Sequence, residues 1–392
     1  MVPAVILSAG LAALSWIAVR KLLLKDSRQK RARRIRRPAP LLSSEPDEIS
    51  LIVYNILADH YCTPKRYPYV RPEWLHWPHR WEALQEQIRS FGSDLICLQE
   101  VEPSRWNQML ASPALTDYAG FLQLGLVWHE SRTRALLAAF TFWDGLGQQQ
   151  LLYVANMHLE GSPYRPNDRI SQTRSALQRL EAHQRQYGIA PEDAAVVVCG
   201  DFNSGRHETV CHFLHRGRLE GGTTEPHMPK VEVTKASISH PYALHEAYSS
   251  GGHELPFTRK VPPLASTLDF IWASCQLEVA ALYWPVECRH EGLIEHQALP
   301  NQHYPSDHLP IGAVLRLKHF YVPPYGDAHP PLPPPSGAQP DATQEYSSGP
   351  ECDASELGLR LGLGLAGHGA AESNLVAPGQ SNQNRPGPAR LN

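Results

Sequence analysis

The sequence predicts an α/β domain over residues 49–320, and three features predict it. Short apolar runs recur at Ile49–Asn55, Asp94–Val101, Leu151–His158, Val196–Asp201, Ser266–Ala273 and Tyr304–Leu315. A run that is apolar at successive positions marks a strand covered on both faces. Between these runs, two stretches repeat apolar residues at helical spacing: Trp81, Leu84, Ile88 and Phe91, then Leu177 and Leu180. The third feature is that each apolar run carries Asn, Asp, Glu or His at one end.

In chain order, the first segment is an eighteen-residue apolar run from Val2 to Val19, interrupted by Pro3, Ser8, Gly10 and Ser15. As a helix it would span roughly 27 Å, enough for a membrane core. No basic residue precedes it, whereas ten Lys or Arg against one acid follow between Arg20 and Arg37. That polarity disfavours a cleaved secretory signal. It favours an anchor over residues 1–24 with the rest of the chain facing the cytoplasm; a mitochondrial or plastid targeting segment is the alternative. Residues 25–48 read as a basic and then polar linker, with Pro-Ala-Pro and Glu-Pro-Asp-Glu.

The folded part then opens on Ile49-Ser-Leu-Ile-Val-Tyr-Asn55. The strand Asp94-Leu-Ile-Cys-Leu-Gln-Glu100-Val ends on an acid, and Leu151–His158 carries Asn156 and His158 at its tip. Val196-Val-Val-Cys-Gly-Asp201-Phe-Asn203 delivers a carboxylate and an amide two residues apart, on the same side of a strand. Taken alone, that last stretch fits an Asx turn equally well. Asp269 and the pair Asp307-His308 belong to the last two runs. Six strand ends with such residues imply a shared site, where clustered acids repel unless a cation is present. Hard oxygen ligands without Cys point to Mg²⁺, with Mn²⁺ as the close alternative.

Composition narrows the partners. The formal charge is −3, and with so many bases in residues 20–37 the remainder is strongly acidic. A general polyanion-gripping surface is excluded, although a metal can focus positive charge at one site. Seven Cys, an odd number without paired spacing, fit reduced thiols rather than a disulfide framework or zinc. Residues 321–392 are rich in Pro and then in Gly, Ala, Ser, Gln and Asn, the composition of a disordered tail. Its Pro-Pro-Leu-Pro-Pro-Pro run is a candidate ligand for a proline-reading domain.

Together the motifs Tyr-Asn55, Leu-Gln-Glu100-Val, Asn156-Met-His158, Gly-Asp201-Phe-Asn203-Ser, Leu-Asp269-Phe-Ile and Ser-Asp307-His308 resemble the endonuclease/exonuclease/phosphatase superfamily, over residues 49–318. The stretch Tyr67–Arg80 is similar to the deadenylase branch, with its carbon-catabolite-repressor, nocturnin and angel proteins. The resemblance implies a four-layer α/β sandwich, two mixed sheets face to face with helices outside. It also implies a Mg²⁺-dependent 3′–5′ exoribonuclease acting on an RNA 3′ end.

By the same resemblance Glu100 is the principal metal ligand, with Asn55 in the metal shell or on the attacking water. Asp201 orients or deprotonates that water. Asn156 and Asn203 hold phosphate oxygens, His158 donates to the scissile phosphate, and Asp307 lies near the metal or leaving group. His308, oriented by Asp269, stabilises the transition state or moves a proton; either it or Asp201 is the base. Pro163 matches a position that packs on the substrate base.

Two departures stand out. The interval from Glu100 to His158 is short for the branch; Phe121–Arg132 resembles one of its strands, with Leu124 in place of an acid, which leaves open whether residues 101–150 supply the strands that flank it. Leu264 stands where an aromatic residue stacks on the base. Two other outcomes therefore stay open: another phosphoester substrate (a nucleotide, a cyclic phosphate or a phospholipid headgroup), or a catalytically impaired scaffold.

Overall fold

Period-two alternation sends the side chains of strand β2 (Glu48–Asn55) into two different cores: Leu51 and Val53 face one, Ile52 and Tyr54 the other. All eight of its residues are buried, which is why the sequence shows a run rather than an alternating pattern. The structure is a computed structural model, and it describes residues 15–19, 45, 47–112, 125–144, 146–285 and 297–318. The basic stretch 20–37 and the tail 321–392 lie outside the described residues, as does most of the proposed anchor.

Two mixed sheets carry the fold. The first contains β1 (Ser15–Val19), β2, β3 (Leu95–Gln99), β16 (Leu277–Tyr283) and β17 (Ile311–Leu317), in the order β1-β3-β2-β17-β16. The second contains β4 (Gly125–Arg132), β5 (Ala135–Trp143), β6 (Gln149–His158), β7 (Ala195–Asp201), β12 (Leu244–Glu246) and β15 (Asp269–Ser274). Its order is β12-β15-β7-β6-β5-β4. Each sheet holds one parallel pair near its centre, β2 with β3 and β6 with β7, and every other pairing is antiparallel. Short ribbons complete the chain: β8 (Arg218–Leu219) with β11 (Ile238–Ser239), β9 (Thr224–Glu225) with β10 (Met228–Glu232), and β13 (Arg259–Val261) with β14 (Leu264–Ser266).

The sheets pack through Leu51, Val53 and Cys97 against Leu136, Val154, Val197 and Ile271. Outside the first sheet, Trp81, Leu84, Ile88 and Phe91 of the helix Trp77–Phe91 cover Ile52, Tyr54, Ile96 and Leu98. Outside the second, Leu177 and Leu180 of the helix Pro166–Gln186 cover Tyr153, Ala155, Val196 and Val198. Each buried Leu, Ile or Val contributes roughly 1.5–3 kcal/mol. This is the four-layer sandwich that the sequence resemblance implies.

One open question is answered and one expectation needs correction. Whether residues 101–150 complete the sheet is answered by residues 125–143: the stretch that resembles a family strand is β4, and it forms an antiparallel hairpin with β5 that extends the second sheet beyond β6. The apolar run Val2–Val19 is not helical throughout, because Ser15–Val19 pairs antiparallel with β3. Trp16, Ile17 and Val19 favour strands, and β3's outer edge needs hydrogen-bond partners. Among the described residues, no helix is long and apolar enough to cross a membrane.

Candidate active site

Strand register decides which polar residues meet. In the parallel pair β2/β3, Asn55 stands beside Gln99, so the next residue, Glu100, leaves the sheet next to Asn55. In the parallel pair β6/β7, His158 stands beside Asp201. Because β15 runs antiparallel to β7, its first residue, Asp269, meets the last of β7, Asp201. Both parallel pairs thus end at one rim, where ligands bind in open α/β sheets.

Gly200 makes the second pairing possible. Its φ is +132°, and a Cβ there would lie 1.9 Å from the Met157 carbonyl oxygen of β6. Only glycine allows that approach. Glu100 and Asn203 sit just past their strands at φ +60° and +46°. Conformations that non-glycine residues rarely adopt cluster at functional sites.

The centre of the site is an amide between two carboxylates. Asn55 Nδ2 donates to Glu100 Oε1 at 3.1 Å and to Asp201 Oδ2 at 3.0 Å. Glu100 Oε2 also accepts the Ala58 backbone N–H at 2.8 Å. His158 Nε2 lies 3.7 Å from both Glu100 Oε1 and Asp201 Oδ2. Asp201 Oδ1 accepts the Asn203 N–H at 2.9 Å, closing a small turn, and Asn203 Nδ2 donates to the Leu159 carbonyl at 3.0 Å. Among the described residues, no Lys or Arg pairs with Glu100 or Asp201.

On the other side of Asp201 stands a buried charge relay. His308 Nε2 lies 3.6 Å from Asp201 Oδ2, and its Nδ1–H donates to Asp269 Oδ2 at 2.8 Å. The same Asp269 oxygen accepts the Thr258 hydroxyl at 2.5 Å, while Thr258 Oγ1 accepts the Leu268 and Asp269 backbone N–H groups. Burial alone pushes the His308 imidazole down. Asp269, Asp201 and Asp307 outweigh that burial together and hold its pKa at about 10, so the ring is an imidazolium at neutral pH.

Asp201, Asp269 and His308 present ligand atoms within 4.8 Å of one another, yet the His308 ring is already engaged by Asp269 and carries a positive charge that opposes a cation there. Glu100 is different. It is an accessible carboxylate facing the site with neutral amide and backbone donors, which suits a hard divalent cation better. The residues present therefore fit Mg²⁺ or Mn²⁺ at Glu100, opposite Asp201.

Most expected residues converge here: Asn55, Glu100, His158, Asp201, Asn203, Asp269, Asp307 and His308 share one rim. Three of the expected residues are engaged by internal partners. The Asn55 oxygen accepts the Leu57 N–H at 3.0 Å, leaving it one lone pair, while its NH₂ group braces the two carboxylates. Asn156 lies deeper than His158. It is fully buried between the sheets, accepting from Gln99 Nε2 at 2.6 Å and donating to the Leu98 carbonyl at 3.1 Å. Alternation puts it on the same side as His158, one pleat deeper, so it forms the floor. Asp307 accepts from Arg259 Nε at 2.9 Å.

Pro163 is exposed in the loop after β6, where Gly161 rests against the Asn203 side chain. Leu264 is 66% exposed, without the aromatic ring that its position called for.

Sequence reasoning missed Thr258, Arg259 and Arg80. Arg80 is fully buried and donates to the carbonyls of Ile56, Leu57 and Pro305, tying the loop after β2 to the loop before His308. An Arg at the end of a Trp-Pro-His-Arg stretch carries no signal for that task. A Thr eleven residues before an Asp carries none either.

The 3′–5′-exoribonuclease subunit Ccr4 of the CCR4-Not complex from Candida albicans is 25% identical over 332 residues, 69% of this chain and 41% of that protein. The Ccr4 subunit of Saccharomyces cerevisiae is 26% identical over 322 residues, covering 67% and 38%. The chain thus spans about two-fifths of the length of these curated relatives. A crystal structure of ANGEL2, a 2′,3′-cyclic phosphatase, in complex with adenosine-2′,3′-vanadate superposes with a TM-score of 0.56 at 22% identity, covering 69% of this chain and 96% of that one. Residues 52–308 match the endonuclease/exonuclease/phosphatase family, and the chain belongs to it.

Proposed function

We propose that this chain is a Mg²⁺-dependent phosphodiesterase that removes nucleotides from the 3′ end of RNA. The observation that carries the proposal is the convergence of Glu100 and Asp201 on the single Asn55 amide, with the His308 imidazolium beside Asp201. A pentavalent phosphorus is more negative than the diester, so a cation and fixed donors stabilise it selectively. The two Ccr4 relatives, named as 3′–5′ exoribonucleases, support the choice of substrate end.

Bound at Glu100, the metal would polarise a phosphoryl oxygen and offset developing charge. The rest is done by side chains. His308 enters the reaction already protonated, which leaves Asp201 to take the proton from the attacking water. The His308 Nε2–H and His158 Nε2 face the same space as Asp201 Oδ2 and donate to phosphoryl oxygens. Asn203 fixes Asp201 through its backbone N–H. The water oxygen bonds to phosphorus and the bond to the upstream 3′-oxygen breaks. That oxygen leaves as a hydroxyl with a proton from solvent, and a 5′-mononucleotide is released.

Adenine preference is the finer part of the proposal, and the exposed Leu264 makes it weak. The test compares RNAs ending in a free 3′-hydroxyl, in a 3′-phosphate, in a 2′,3′-cyclic phosphate, and closed into a circle. The proposal expects 5′-mononucleotides from the free 3′ end and none from the circle. Cleavage of the circle, or release of only a terminal phosphate, would contradict it.

A further inference from the structure

Arg259 has more hydrogen-bond donors than the protein uses. It opens β13, and its backbone is bridged to His308, the proton-bearing residue of the site. Flanking backbone bonds hold it there: Lys260 N–H to the Asp307 carbonyl at 3.1 Å, and Leu309 N–H to the Thr258 carbonyl at 2.7 Å. The guanidinium is anchored by one bond only, from Nε to Asp307 Oδ2 at 2.9 Å. Asp307 is buried, while the Arg259 side chain is 33% exposed. Among the described residues, its two terminal amino groups meet no acceptor. Four of the five guanidinium N–H donors therefore remain for a ligand.

Those donors face an anion on geometric and electrostatic grounds. The chain apart from its N-terminal basic stretch is acidic, so a fixed cation beside the site is an exception. Burial disfavours its charge, but Asp307, Tyr67 and Asp201 more than compensate, so the group stays cationic. A planar guanidinium held at Nε presents its outer edge as a fork matched to two phosphate oxygens. The fork is anchored on Asp307, the residue before His308, and its backbone is bridged to His308, so it stands beside the space where Asp201, His158 and His308 converge. At an RNA 3′ end, the only other phosphate near the scissile one is the next upstream.

We propose that Arg259 binds the phosphate one nucleotide upstream of the scissile phosphodiester, so that the site selects strands carrying at least two phosphates over single-phosphate substrates. This rests on the RNA 3′-end function proposed above and narrows it, setting nucleoside monophosphates, cyclic monophosphates and single-phosphate headgroups aside. The alternative is that Arg259 serves only as the counter-ion of Asp307.

The experiment measures binding of a 5′-fluorescein RNA decamer to the full chain carrying Glu100→Gln, by anisotropy across a salt series with Mg²⁺. Adding Arg259→Ala is expected to weaken binding roughly tenfold, as a charge-assisted contact does. It should also reduce the slope of log affinity against log salt by about 0.7, the single-strand value for one phosphate. A neutral methylphosphonate at the upstream linkage should weaken the Arg259 protein by the same factor and leave the Arg259→Ala protein unaffected. Arg259→Lys should keep the salt slope while losing part of the affinity, because the charge stays and the fork does not.

An unchanged salt slope, with the methylphosphonate penalty intact in Arg259→Ala, would overturn the proposal and leave Arg259 as a counter-ion. Failure of the underlying function would register separately: the chain with Glu100 intact would not shorten RNA from its 3′ end at all.

Discussion

His308 Nδ1 lies 2.8 Å from Asp269 Oδ2, and both residues are buried at the rim where β7 and β15 meet. The pair fixes the ring so that Nε2 looks at Asp201. A buried imidazole next to one carboxylate is a compromise between desolvation and attraction. Next to three it becomes a stored proton.

In chelator-treated protein, the His308 ring is expected to titrate at about pH 10, against roughly 6.5 for an unperturbed histidine. The sign for stability follows: the folded form binds this proton more tightly than the unfolded one. The contribution is therefore complete below about pH 6.5 and is lost as pH rises through about 10. Asp269→Asn removes the nearest partner, so the ring's pKa should fall, and turnover near pH 8 should drop roughly 10²–10⁴-fold. Ring resonances followed by NMR across the pH range check the first expectation, and pH–rate profiles the second. An Asp269→Asn ring that still titrates near its parent's value would refute the assignment.

Gly200→Ala is expected to prevent folding rather than to impair chemistry alone. Its Cβ would lie 1.9 Å from the Met157 carbonyl, at a φ of +132° that L-residues rarely adopt. The β6/β7 pairing would have to open where it joins His158 to Asp201. Far-UV circular dichroism and urea unfolding should reveal a destabilisation of several kcal/mol or no cooperative transition. An alanine variant of parental stability would show that the close approach is dispensable.

Leu264→Phe puts back a stacking surface at a position that is 66% exposed. Base stacking on an aromatic ring is worth about 1–3 kcal/mol. The variant should bind a 3′-terminal adenosine about 5- to 150-fold more tightly, with the largest gain for purines. Competition between RNAs that differ only in the last base measures it. A uniform response to all four bases, or none, would mean that Leu264 is off the path of the terminal nucleotide.

Much of the site was legible because strands impose a period of two. Asn156 and His158 could be assigned to one side from spacing alone, whereas Asp201 and Asn203 are joined by the Asx turn that the sequence offered as the other reading. Register then did what spacing could not, bringing Asn55, Asp201 and Asp269 from separate segments to one rim. Amide orientation was not legible. Asn55 and Asn156 each spend their oxygen on an internal donor, Leu57 N–H and Gln99 Nε2. Nothing in a motif says which end of an amide faces the site. Arg259 was invisible for a related reason: one of two adjacent bases, Arg259-Lys260, becomes a cation at the site only once β13 is bridged to His308. The run Val2–Val19 misled because length and hydropathy suit a helix, whereas its residues Ser15–Val19 complete the edge of β3.

The central claim is that Glu100 supports metal-dependent hydrolysis at an RNA 3′ end, and one measurement addresses it directly. Full-length chain and its Glu100→Ala variant are incubated with 5′-labelled single-stranded RNA, with Mg²⁺ or with chelator, and the products are sized. The account predicts a ladder shortening from the 3′ end with parent protein and Mg²⁺, abolished by chelator and reduced at least 10²-fold in the variant. A ladder that persists in Glu100→Ala, or one indifferent to chelator, would contradict it.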